Sequence, residues 1–371
     1  MTRTFAAAMR RANRLLRPRK MPRSTRSTQK AMTELMVRST LAALKPKAAK
    51  SRKAVAPNAR RTLGAALRQS RVSGAMTRSA GPEGALPRIP KGAQYLALTH
   101  RSKAGSRDFK LYLPASRPKR PKGLILMLHG CKQTPDDFAL GTHMNALAEK
   151  HGLALAYPAQ TAGDNAASCW NWFRPCNQLR GKGEPAILAS LTQKLMKEFG
   201  LGRDTVFVAG LSAGGAMAAI LADVYPDVFS AAGVHSGLAR GAARDAISAM
   251  SAMRTGGGSK GITPAVVSPS KPVRRIVFHG DIDSTVHPSN AAIIVEAALG
   301  SHAMPTKISK RSVRGRGYAR SDFAGSDGVV LLELWMIEGA GHAWSGGRVA
   351  GSFTDSKGPD ASAQMIRFFL T

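Results

Sequence analysis

Acidic residues are scarce in this chain: 22 Asp and Glu stand against 55 Lys and Arg, a formal net charge of +33 at pH 7. An excess of that size bears on attraction to polyanions and anionic surfaces, not on fold. It is also uneven. Residues 1–90 hold 22 basic residues and two acids, Glu34 and Glu83, a net +20, whereas residues 91–371 hold 33 and 20, a net +13. Aromatic residues are only 6% of the chain, and its first 90 residues contain one, Phe5. Such a segment lacks the stacking platforms of single-stranded nucleic-acid binders, and no nucleic-acid-binding motif is present. A polyanion-binding protein is the rival reading from outside enzymology, and its test is salt-sensitive retention on DNA without esterase activity.

Cysteine is rare too. Cys131, Cys169 and Cys176 are too few for a four-cysteine zinc site, and at least one is unpaired. One disulfide or three free thiols both fit. No run approaches the 18 or so apolar residues of a membrane-spanning helix. The first 20 residues have only the short apolar stretch Phe5–Met9, so a standard secretory signal with a longer apolar region is not expected there.

What is present divides the chain in two. Residues 1–91 are rich in Arg, Ala, Ser, Thr and Met, with short helical patches expected, for instance Met32–Leu44, and no segment able to build a core. They are expected to form a basic, largely disordered arm. Residues 92–371 have the texture of a folded domain. Tyr95–Thr99 and Phe109–Leu113 suggest a hairpin, and Leu124–Leu128 is a continuously apolar, buried strand. Leu153–Tyr157, Thr205–Ala209, Ser230–Val234, Arg274–Phe278 and Val330–Trp335 suggest further strands. Helices are expected over Leu140–Lys150, Pro185–Phe199, Ala213–Val224 and Ser362–Leu370, and a loop over residues 254–272. Alternation of this kind implies an α/β fold, a mostly parallel central sheet with helices on both faces.

The strongest motif is Gly210-Leu211-Ser212-Ala213-Gly214, set between an apolar strand and a small-residue helix. That strand–turn–helix context suits a nucleophile elbow, in which small neighbours allow a tight turn and the serine Oγ is exposed. A serine hydroxyl needs a base, and the base an orienting acid. The expected order, Ser then Asp then His, is met by Ser212, the loop His279-Gly280-Asp281-Ile282-Asp283, and His342 in Gly341-His342-Ala343-Trp344. Asp281 and Asp283 share the loop. Asp283 lies deeper in the turn and is the expected acid, leaving Asp281 to shape it. His279 ends a strand and is expected to be structural, and His287 exposed. Oxyanion donors are expected at the backbone N–H of Ala213 and of Cys131, the latter in His129-Gly130-Cys131 after an early strand. Trp170 and Trp172, in Cys169-Trp170-Asn171-Trp172-Phe173, and Trp344 are candidate substrate contacts, with loop packing as the alternative role. This chemistry requires no metal and no organic cofactor.

Taken together, His129-Gly130-Cys131, Cys169-Trp170-Asn171-Trp172-Phe173, Gly210-Leu211-Ser212-Ala213-Gly214-Gly215, His279-Gly280 with Asp283, Gly341-His342-Ala343-Trp344-Ser345-Gly346-Gly347 and Gly358-Pro359-Asp360-Ala361-Ser362 resemble the poly(3-hydroxybutyrate) depolymerase family of esterases. That family is related to feruloyl and acetylxylan esterases. The resemblance runs from about residue 92 to 371. It implies an α/β-hydrolase fold, a Ser212–Asp283–His342 triad, and action on short-chain hydroxyalkanoate polyesters or on small esters. It also implies that Cys131 and Cys169 pair, which leaves Cys176 as the odd thiol. Two departures stand out: no recognisable signal peptide, and no separate polymer-binding module after the catalytic domain. The resemblance therefore points to the extracellular region, while the basic arm points to an intracellular polymer granule or another anionic surface.

Overall fold

The computed structural model describes residues 86–117, 119–256, 272–300 and 303–371. The expected helical patch Met32–Leu44 lies outside them, as does nearly all of the expected loop 254–272.

The central strands form because their sequences are apolar on both faces, the pattern of a sheet covered on both sides. In β3 (Leu124–Leu128), Leu124, Leu126 and Leu128 join one core cluster. That cluster also takes Leu188 and Leu191 of α3 (Gly183–Phe199) and Met217 and Leu221 of α4 (Ala213–Val224). Ile125 and Met127 point the other way, into a cluster with Phe138 of α1 (Pro135–Thr142), Met144 of α2 (Met144–His151), and Phe368 and Phe369 of α7 (Ala361–Leu370). β5 (Val206–Leu211) divides in the same way, with Val206 and Val208 on one side and Phe207, Ala209 and Leu211 on the other.

The remaining strands are β1 (Gln94–Ser102), β2 (Gly105–Leu113), β4 (Ala154–Pro158), β6 (Ala231–His235), β7 (Arg274–Gly280), β8 (Lys307–Val313), β9 (Arg316–Ala324) and β10 (Val330–Ile337). All ten lie in one sheet of order β1-β2-β4-β3-β5-β6-β7-β10-β9-β8. From β4 to β10 the pairings are parallel, and β1, β2, β9 and β8 pair antiparallel at the two ends. A small second sheet pairs β11 (Trp344–Ser345) with β12 (Thr354–Asp355). Because β3, β5, β7 and β10 are parallel, the loops that leave their C-terminal ends emerge on one side. That side is where open α/β sheets bind ligands.

Several elements differ from the sequence expectation. The helix expected over Leu140–Lys150 is two helices. Thr134 caps α1 through the Asp137 N–H, Pro135 stands in its first turn, and His143 ends it in a left-handed conformation before α2 begins. The Thr-Pro-Asp-Asp start of α1 is a recognisable helix signal. α5 (Ala246–Thr255) and α6 (Ser289–Leu299) were not anticipated, nor was the β8–β9 hairpin. β8 is exposed at nearly every position, so it carries no apolar alternation to read.

One polar cluster lies inside the fold near the sheet. Asp223 of α4 accepts from Nη2 of Arg275 on β7, and from Nε of Arg240 at 3.1 Å, all three residues being buried. Removing one member of such a group leaves buried charge without its partner. Asp223→Ala should therefore lower unfolding stability by about 3–5 kcal/mol in urea titration, and Asp223→Asn by a comparable amount. A loss below about 1 kcal/mol would show that solvent compensates the two guanidinium groups.

Candidate active site

Ser212 is the hinge between β5 and α4. Its φ is 57° and ψ −118°, a conformation that costs a non-glycine residue on the order of 1–3 kcal/mol. The turn is fixed through its backbone. The Ser212 N–H donates to the His235 carbonyl at 2.9 Å, and the Ser212 carbonyl accepts the Ala216 N–H at 2.9 Å. Gly214 allows the close approach that the turn needs, since a Cβ there would run into the carbonyls of Leu128 and His129. The first turn of α4 is thereby pressed against the start of the 129–133 loop. A Cβ on Gly130 would stand only 3.6 Å from that of Ser212.

That loop is held from both sides. The carbonyl of Gly130 accepts from His129 Nδ1 at 2.8 Å and from the Gln133 N–H at 3.2 Å. The Gly130 N–H donates to Gln133 Oε1 at 2.9 Å. Gln133 Nε2 donates in turn to Asp137 and to Ser352. The N–H of Cys131 belongs to the same peptide unit as the pinned carbonyl, so it is fixed pointing the opposite way. Neither it nor the Ala213 N–H has a hydrogen-bond acceptor among the described residues. Cys131 is also bonded to Cys169, with Cα atoms 4.3 Å apart, and this joins the loop to the segment 165–173.

Asp283 and His342 meet directly: His342 Nδ1 lies 2.8 Å from Asp283 Oδ2. The other oxygen of Asp283 accepts the N–H groups of Thr285 and Val286, each at 2.9 Å. Burial alone would push this carboxyl up. His342, His279 and the Val286 N–H outweigh burial and hold it well below the usual carboxylate range. Gly280 brings the two loops together, because a Cβ there would strike the Ala340 carbonyl. Asp281 accepts the Gly339 N–H at 2.7 Å instead. That bond shapes the turn. Burial raises the pKa of Asp281. His279 is buried, with Nε2 2.9 Å from the Val286 carbonyl and 3.5 Å from Asp283. His342 keeps some exposure, 10% of its side chain. The geometry thus unites Asp283 with His342 and sets Ser212 beside the Cys131 loop.

The tryptophans differ from expectation. Trp170 and Trp344 are 0% and 1% exposed. The Trp170 indole donates to the His129 carbonyl and the Trp344 indole to Ser362 Oγ, each at 3.0 Å. Neither presents a surface to a bound molecule. Each instead braces a loop of the site, which is the packing alternative. Trp172 is also buried, edge-on to Phe173.

Sequence reasoning missed the polar framework beneath these loops. Glu184, at the start of α3, accepts from the side chain and N–H of Asn171 at 2.7 and 2.8 Å, and from Gln160 at 2.7 Å. Gln160 accepts from Arg107 at 2.7 Å. Burial pushes the Glu184 carboxyl up against the pull of Asn171, Gln160 and Arg107. His129 Nε2 accepts the Gln160 N–H at 3.0 Å, so the 129–133 loop and this framework are continuous. Arg107, Gln160 and Glu184 stand in no motif, and Asn171 lies in Cys169-Trp170-Asn171-Trp172-Phe173, where only its aromatic neighbours drew notice.

The family profile described as Esterase PHB depolymerase matches residues 107–315. The chain belongs to that family. Family members and other relatives include a poly(3-hydroxyalkanoate) depolymerase C from Paucimonas lemoignei, 30% identical over 260 residues, 66% of this chain and 61% of that one. This chain therefore spans less than two thirds of that relative. A feruloyl esterase B from Neurospora crassa is 26% identical over 244 residues, 62% of this chain and 81% of the relative. Among solved structures, an acetyl xylan esterase from Aspergillus awamori superposes with a TM-score of 0.56 at 20% identity, over 75% of this chain and 98% of that one. The fold is that of the α/β-hydrolases.

Three buried imidazoles surround the site. Burial lowers the pKa of His129 to about 4 and that of His235 to about 3, and lowers that of His279 as well. In the unfolded chain these groups gain protons near pH 6.5. They stay neutral in the folded state, so the unfolded state binds more protons as pH falls. Stability should therefore drop between pH 7 and 5.5, with a limiting slope of about 1.4 kcal/mol per pH unit for each histidine that stays neutral. The raised carboxyls of Glu184 and Asp281 work in the opposite sense, from the usual carboxylate range upward, and reduce the drop to the extent that their folded-state titration enters this window. Urea titrations at pH 7 and 5.5 check this. Equal stabilities would mean that the imidazoles are solvated.

Proposed function

We propose that this protein is a serine esterase in which Ser212 is the nucleophile, His342 the general base and Asp283 the orienting acid. The observation that carries the reading is the 2.8 Å contact of His342 Nδ1 with a buried Asp283, in a fold where Ser212 holds a positive φ at the turn from β5 to α4. His342 takes the Ser212 proton as Oγ bonds to the ester carbonyl carbon, and the carbonyl electron pair moves onto oxygen. The N–H groups of Cys131 and Ala213, without acceptors among the described residues, donate hydrogen bonds to that oxyanion. One such donor is typically worth about 3–4 kcal/mol of transition-state stabilisation. Collapse expels the alcohol, which takes the proton from His342. Water, deprotonated by His342, then attacks the acyl-enzyme, and the acid leaves with Ser212 restored. Asp283 keeps the Nδ1 proton of His342 in place and stabilises the imidazolium without accepting the proton.

The substrates we propose are short-chain hydroxyalkanoate polyesters and their oligomers, on the strength of the family and the depolymerase relative. The feruloyl esterase relative supports a second reading, small or plant cell-wall esters. The triad serves both. We also assign residues 1–90, at net +20, to docking on a polymer granule or other anionic surface.

Two tests follow. Wild type should hydrolyse p-nitrophenyl butyrate and a hydroxybutyrate trimer, and Ser212→Ala should lose on the order of 10⁶-fold in kcat on both. Asp283→Asn should cost about 10⁴-fold through the wrong tautomer, while Asp281→Asn stays within about tenfold of wild type. Hydrolysis of feruloyl or acetyl esters but not of the trimer would select the second reading. Separately, deletion of residues 1–85 should abolish salt-sensitive sedimentation with hydroxybutyrate granules at low ionic strength. Undiminished association would sink the docking role.

A further inference from the structure

We infer that His235 is a positioning residue that sets the Ser212 turn and the His342 loop against each other, and this rests on the triad reading above. Two different groups of His235 touch the two sides. Its carbonyl accepts the Ser212 N–H at 2.9 Å. Its imidazole Nε2 accepts the Ser345 N–H, three residues past His342, at 3.0 Å. β6 carries His235 at its C-terminal end and lies between β5, which delivers Ser212, and β7, which delivers the Asp283 loop.

The ring is held so that only one arrangement works. It is 1% exposed and stacked between Phe278 and Trp344, with centroids 5.7 and 5.2 Å away and planes 12° and 25° apart. Trp344 is itself fixed by Ser362 and by the edge-on ring of Phe138. An Nε2 that accepts must be bare, so the neutral ring carries its proton on Nδ1, which lies 3.2 Å from Ser236 Oγ. The loop is pinned again one residue earlier, where the Trp344 N–H donates to the Phe353 carbonyl at 2.7 Å. His342 therefore stands two residues before a stretch whose backbone is locked in place. His235 touches neither Asp283 nor His342 by hydrogen bond. It acts by fixing where the loop that bears the base begins to be rigid.

An apolar residue of similar volume would fill the same space between the rings but leave the buried Ser345 N–H without an acceptor. Glutamine would place an amide oxygen near the Nε2 position. The experiment measures p-nitrophenyl butyrate hydrolysis by the full chain in wild type, Ser212→Ala, His235→Leu and His235→Gln. His235→Leu should lower kcat about 100-fold, the cost of roughly 1 Å of misplacement, with KM changed less than about threefold. His235→Gln should recover at least about tenfold of that loss. A folded His235→Leu with kcat within about threefold of wild type would overturn the inference, as would Gln and Leu variants equally slow, since that would reduce the ring to packing. Should His235→Leu fail to fold, ¹⁵N NMR of wild-type histidines decides: a bare Nε2 with a protonated Nδ1 supports the clamp, and a proton on Nε2 overturns it. Activity surviving in Ser212→Ala overturns the triad reading and the inference together, whereas a dead Ser212→Ala beside a normal His235→Leu overturns the inference alone.

Discussion

A serine held at a φ of 57° has to be forced there, and the forcing elements are backbone groups on three strands. β5 brings the chain into the turn, the His235 carbonyl at the end of β6 receives the Ser212 N–H, and the end of β3 leaves room for α4 only because Gly214 has no side chain. Backbone strain of this kind persists only where the surroundings over-determine it. Here the surroundings are a parallel core whose strands are buried on both faces, so the turn can relax only by disturbing three neighbouring strands at once.

The loops around this turn bury aromatic rings, and they are ordered as well by polar side chains that are themselves buried. His129 and Gln133 hold opposite sides of the Gly130 backbone, and Glu184 gathers Asn171 and Gln160. The disulfide and the Trp170 indole tie the two segments together. Such networks have value only when nearly every member is satisfied. That condition explains why so many uncharged imidazoles and amides sit in one region. Each provides a donor and an acceptor without the desolvation cost of a fixed charge.

Much of this was legible in the sequence, for definable reasons. Strands buried on both faces announce themselves as unbroken apolar runs, so Leu124–Leu128 and the strand before Ser212 were read directly. The order of Ser212, the Asp281–Asp283 loop and His342 was equally plain, and the choice of Asp283 over Asp281 as the partner of His342 agrees with the hydrogen bonds. Of the features that escaped, three have plain reasons. β8 has no buried face, so its residues carry no alternation. His143 breaks a helix by its backbone conformation, which nothing in a run of helix-compatible residues announces. Tryptophans near a reactive histidine suggest substrate contact, but an indole N–H meets its hydrogen-bonding need equally well on a carbonyl or a serine inside the protein, as Trp170 and Trp344 do.

The β8–β9 hairpin has an effect at a distance from its own exposed residues. Without it β10, the strand that leads into the His342 loop, would close the sheet and offer a free row of N–H and C=O groups to any extended segment nearby. With β9 paired to it, β10 is an interior strand, and the vacant edge is moved two strands outward to β8. There Lys307, Lys310 and Arg311 line a seven-residue strand with no acid in it. Two molecules meeting edge to edge would bring like charges together at strand spacing, which disfavours runaway sheet growth between copies. Among the described residues, this end of the sheet is thus guarded by repulsion, and its protection against aggregation should weaken as salt screens those charges.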